Sequence, residues 1–92
     1  MRSTTQVEEM FDSMENTREI VELAARRLRG TGTLIERFVE AGIVLAKVHE
    51  GDLRADLRPT YREVKARVIN LRGKAEEIAT RLEDIARAIG SA

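Results

Sequence analysis

An all-α fold is predicted by three observations, and its expected form is an antiparallel three-helix bundle with a long heptad-patterned C-terminal helix, completed by oligomerisation. Apolar residues recur every three or four positions along most of the 92-residue chain. Three Thr-x-x-Glu boxes, at Thr5–Glu8, Thr33–Glu36 and Thr60–Glu63, each mark a helix start, where a threonine side chain and a glutamate three residues on satisfy orphan amides. Only three residues are aromatic and one is proline, while alanine, leucine, glutamate and arginine are plentiful, a composition that favours helix over sheet. The length suits one helical domain over residues 1–92.

The first helix is expected over about 6–28. Its stripe is Val7, Met10/Phe11, Met14, Thr17, Val21, Ala24 and Leu28, with acidic residues in the first turns and Arg26 and Arg27 in the last, as the helix macrodipole prefers. The stretch from Arg26 to Glu36 then admits two readings. As a turn, Arg26, Arg27 and Arg29 sit at a negative helix end, Gly30 suits the left-handed position after the helix, Gly32 permits the bend, and Thr33 with Glu36 caps the next helix. As a site, the same three arginines are the candidate contacts for an anion such as phosphate, although no strand precedes the loop as phosphate cradles usually require.

The second helix is expected over about 34–49, ending at Gly51 with Lys47 and His49 near its carbonyl end. Leu34, Phe38, Ala41, Leu45 and Val48 form one seam and Ile35, Val39, Ile43 and Ala46 another, so the helix is apolar nearly all round and asks to be buried nearly all round.

The third helix is expected over about 57–89. Leu57, Tyr61, Val64, Val68, Leu71, Ala75, Ile78, Leu82, Ile85 and Ile89 alternate spacings of four and three without interruption, a sustained heptad seam. Pro59 falls in or just before the first turn, where a missing amide is tolerated, and Gly73 reads as an exposed glycine off the seam. At 1.5 Å per residue this helix would span roughly 45 to 50 Å and the second only about 25 Å. The excess seam and the outer face of the second helix therefore predict a second copy or a helical protein as partner. The candidate interface residues are Ile35, Val39, Ile43, Val64, Val68, Leu71, Ile78, Leu82, Ile85 and Ile89.

Function follows from what chemistry the chain carries. It has no cysteine, one histidine, and no apolar stretch of signal-peptide or membrane-spanning type, so a cytoplasmic protein is expected. Carboxylate neighbours such as Glu76-Glu77 diverge around a helix, and His49 alone assembles no metal site; neither a cofactor nor a metal is expected. Acidic and basic residues number 16 each. The expected function is a non-enzymatic protein–protein interaction module (an assembly subunit, adaptor or small chaperone) acting through coiled-coil-like apolar seams. The alternative is nucleic-acid binding through the basic stripe 54–74, with Arg58, Arg62, Lys65, Arg67, Arg72 and Lys74 as contacts. A third reading is a metal-free helical enzyme that holds an anionic substrate with arginine and lysine.

Overall fold

The computed structural model describes residues 2–90, with side chains described for 16–89. It contains four α-helices: α1 (Arg2–Arg29), α2 (Leu34–Leu45), α3 (Arg58–Ile69) and α4 (Ala75–Gly90), with a single 3-10 turn at Glu50–Asp52. The all-helical expectation holds among the described residues; the expected helix over 57–89 is instead two helices folded back on each other. Of the three Thr-x-x-Glu boxes, only the middle one caps a helix: the Thr33 side chain accepts from the Glu36 amide at 3.1 Å. Helical backbone already runs through Thr5, while the side chains of Val7, Met10, Phe11 and Met14 lie outside the described residues. Thr60 is likewise inside α3, whose N-cap is Leu57 and whose first turn holds Pro59.

Helix α2 ends at Leu45, short of the expected 49. The amides of Lys47 and Val48 donate back three residues, to Val44 and Leu45, which tightens the last turn and redirects the chain. That bend lets Val48 and Leu53 both enter the core. Gly51 falls within the 3-10 turn rather than after α2, and His49 precedes that turn, exposed and extended. Arg58 then ties the connection down, its Nε donating to the carbonyls of Glu50 at 3.1 Å and Leu53 at 3.0 Å.

The break between α3 and α4 has a specific hydrogen-bond signature. The Arg72 amide donates to the Arg67 carbonyl at 2.8 Å and the Leu71 amide to Val68 at 3.2 Å, which is the Schellman pattern, with Leu71 in the left-handed position at φ 55°. A leucine there costs on the order of 1–2 kcal/mol, because its Cβ crowds the following carbonyl. Gly73 also has positive φ, 93°, and a Cβ in its place would lie 3.4 Å from Ile78 Cδ1. It is a turn glycine, not a tolerated glycine within a helix.

The helices form a closed ring of neighbours in an up-down-up-down order. Helix α1 makes its most extensive contacts with α4 and next with α2, while α3 completes the ring between α2 and α4. Arg29, at the end of α1, reaches Thr80 and Glu83 in the first half and middle of α4, whereas Glu22 and Arg26, earlier in α1, lie beside Glu83 and Arg87, so these two helices are antiparallel. Glu63 and Arg81, 3.7 Å apart, set α3 antiparallel to α4. Alanines 24 and 25 on α1 and 75, 79 and 86 on α4 are all buried, and their small side chains permit close packing at the most extensive contact. Larger residues fill the centre: Val21, Leu28, Phe38, Leu45, Val64, Val68, Ile78 and Leu82 are each at most 2% exposed.

Tyr61 joins two of these layers. It is fully buried, its hydroxyl donates to the Leu45 carbonyl at 3.1 Å, and Lys65 Nζ lies 5.9 Å from the ring centroid. Burial, with the negative charge of Glu50 adding to it, raises its pKa from 10.0 to about 12. The folded state therefore resists ionisation that the unfolded chain undergoes at its ordinary value. Stability is full below pH 10.0 and falls as pH rises towards about 12. As Tyr61 is the single tyrosine and there is no tryptophan, tyrosinate absorbance reads it alone; its midpoint should lie near 12 in the folded protein and near 10.0 in denaturant. Tyr61→Phe should flatten the alkaline loss of stability and lower stability at neutral pH by about 1 kcal/mol, the worth of the hydrogen bond.

Candidate interaction surface

Helix α2 has two apolar faces, and the ring covers only one. Phe38, Ala41, Val44 and Leu45 point inward, whereas Ile35 is 63% exposed, Val39 49% and Ile43 61%. These last three are spaced by four residues and so form one outward row. Its position relative to α3 follows from Gly42, where a Cβ would lie 3.7 Å from Val68 Cγ1: the row runs along the flank of α2 nearer α3. Ile69, the residue after Val68, is 61% exposed, and Leu34 at the start of α2 is half exposed. The far border of the row is acidic, with Glu36 and Glu40 exposed and in no ion pair with any described residue. On α3, Lys65 lies one helical turn before Ile69, over the Tyr61 ring and in no ion pair with any described residue.

The expected interface residues divide sharply. Ile35, Val39 and Ile43 are open to solvent, as is Leu71 at 48%. Val64, Val68, Ile78, Leu82 and Ile85 are buried in the core of their own chain, and Ile89 packs partly against it. The heptad seam is thus consumed by the fold-back of α4. Ile69 was not among the candidates, although an isoleucine lying off the seam of a heptad helix was a legible signal.

The six basic candidates are not brought together. Arg58 binds carbonyls of the connection, Arg62 pairs with Glu50 at 2.9 Å, and Arg67 pairs with Glu63 at 3.1 Å on the side facing α4. Lys65 lies over Tyr61, and Arg72 and Lys74 lie exposed in the turn after α3. The arginines 26, 27 and 29 also part company. Arg29 donates to Thr80 Oγ1 at 2.8 Å and Glu83 Oε1 at 2.9 Å, while exposed Arg26 and Arg27 line a shallow depression with Leu23, Gly30, Thr31 and Glu40. The Glu36 carboxylate folds back towards Gly32, one oxygen lying 3.0 Å from where a Cβ there would stand. A negative group of the chain itself therefore sits at the start of α2, where an incoming anion would bind.

Among the described residues no three of histidine, aspartate and glutamate are grouped to hold a metal ion, and no helix is long and apolar enough to cross a membrane. No protein-family model, no curated protein and no solved structure matches the chain.

The two classes of apolar residue should separate in a stability measurement. Ile43→Ala, on the open row, should change the unfolding free energy by no more than about 0.5 kcal/mol at dilute protein. Leu82→Ala should lower it by roughly 2–5 kcal/mol, because it leaves a cavity where a fully buried side chain stood. Urea titrations of both variants at one low concentration check this.

Proposed function

We propose that the protein is a non-enzymatic interaction module whose working part is the open apolar face of α2 with the adjoining end of α3, and whose partner there is a second copy of the chain. One observation carries this reading: Ile35, Val39 and Ile43 stay about half exposed or more while the other face of the same helix is buried. With Leu34 and Ile69 they present on the order of 500 Å² of apolar surface, and two such faces together reach the lower bound of a specific interface, roughly 1,000 Å². The borders favour self-pairing. A two-fold axis running along α2 sets the Glu36–Glu40 edge of one copy towards the Lys65 edge of the other, which fixes register and disfavours arrangements that oppose like charges. Such a surface suits an assembly subunit, an adaptor or a small chaperone, all of which work by covering and uncovering apolar area.

Sedimentation equilibrium tests the reading. The mass should rise above the 10.4 kDa of one chain as concentration increases through the micromolar range. Val39→Glu should weaken association by roughly a hundredfold or more, since an unpaired charge in an apolar interface costs on the order of 3 kcal/mol. A compact monomer at every concentration would overturn the proposal.

A further inference from the structure

Residues 70–74 hold the turn between α3 and α4 in a backbone that one of their side chains opposes, while the apolar spacing reads straight through it. Leu71 takes a left-handed φ of 55° that leucine rarely adopts, and Gly73 takes 93°. Yet Val68, Leu71, Ala75 and Ile78 keep the alternation of three and four found on either side, so a helix continuing through the turn would carry one unbroken seam. The turn itself is exposed at every residue. Helix α4, moreover, packs far more extensively on α1 than on α3, the helix to which the turn joins it.

Together these features point to an exchange of α4 between two copies. We infer that the turn can straighten, joining α3 and α4 into one helix, and that α4 then docks on α1 of a second copy in the manner it docks on its own. Every α1–α4 contact survives the exchange, because each copy gives one α4 and receives one. What changes is the hinge: two left-handed leucines become ordinary helical residues, offset by the loss of translational freedom on pairing. Short hinges under backbone strain favour this kind of swap. The inference goes beyond the α2 face and uses none of its residues, so either can stand without the other.

Two neighbouring substitutions should act in opposite directions. Gly73→Ala places a side chain at a φ of 93°, which it disfavours, and improves helix propensity in the straight form; both effects promote exchange. Leu71→Gly removes the strain of the turn and weakens the straight helix; both effects suppress exchange. Each should move the dimer dissociation constant by roughly tenfold, the first down and the second up.

The experiment is done in a Val39→Glu background, which removes pairing through α2, and with Arg29→Cys and Glu83→Cys in a chain that has no other cysteine. The native side chains at these positions meet at 2.9 Å, so a short thiol-specific cross-linker joins them within one chain in the closed form and between two chains in the exchanged form. Samples are refolded at high and low protein concentration, with circular dichroism confirming helix content, then cross-linked and run on a denaturing gel. The expected result is a covalent dimer that grows with refolding concentration, is increased by Gly73→Ala and is decreased by Leu71→Gly. Cross-links that stay within single chains in the Gly73→Ala protein at millimolar concentration, or two variants that shift the dimer the same way, overturn the inference.

Discussion

The hydrogen bond from the Arg72 amide to the Arg67 carbonyl ends α3, and the position of everything after it depends on that ending. A helix continuing past residue 70 would carry Ile78, Leu82 and Ile85 away from α1; the fold-back sets them in the core at no more than 3% exposure. Full burial of each such side chain contributes roughly 1.5–3 kcal/mol, against about 1–2 kcal/mol for a left-handed leucine. Burial therefore outweighs the strain within a single chain. The same comparison shows why the strain persists: the turn is imposed by the packing of α4, not chosen by the residues that make it.

A second constraint sets where α3 lies. The chain between α2 and α3 must return across the end of α2, and side chains add donors to carbonyls there, those of Leu45 and Glu50 already accepting from backbone amides. Tyr61 supplies one to Leu45, and Arg58 supplies the carbonyls of Glu50 and Leu53. Both donors belong to the first turns of α3, so the polar closure of the connection and the placement of the helix are one event. Gly42 and Val68 then face each other along the shared flank of the two helices. Part of the basic stripe finds its use here: Arg58 and Arg62 tie the connection between α2 and α3, while Lys65 lies over Tyr61 of its own helix.

The phase of each helix was legible from the sequence, and the connections mostly were not. Thr17, Val21, Ala24 and Leu28 are buried as their spacing requires, Thr33 caps α2, and α2 does present a second apolar face. Periodicity reports which side of a helix is apolar, but a helix that stops and folds back can keep the same count as one that runs on. The usual announcement of such a stop is glycine at the left-handed position; here that position is leucine, and glycine follows two residues later. The Thr-x-x-Glu boxes misled for a related reason. Threonine and glutamate three apart are common in any charged helix, and only local backbone geometry decides whether the pair caps anything. Of the interaction surface, Ile35, Val39 and Ile43 were readable because α2 is apolar over too wide an arc. Ile69 gains its place only once Gly42 brings α3 alongside, which is tertiary information.

The outward sides of the helices are not alike. On α4 the exposed positions are Glu76, Glu77, Thr80, Asp84 and Arg87; on α3 they include Arg62, Glu63 and Ala66. Both look like surfaces shaped for water, with short-range ion pairs such as Arg87–Asp84 and Arg67–Glu63. Among the described residues, α2 combines an inward face as apolar as theirs with an outward row of branched aliphatic residues. In a ring of four helices each member is covered over only part of its circumference, so folding a single chain gives no reason for that row. At its edge Glu36 folds back towards Gly32 at the start of α2, and Glu40 lines a depression with Arg26 and Arg27, so both acids already have places in the single chain. The pairing proposed above would cover that apolar row. On the proposed pairing, α2 serves two surroundings at once, the interior of its own chain on one side and a second copy on the other.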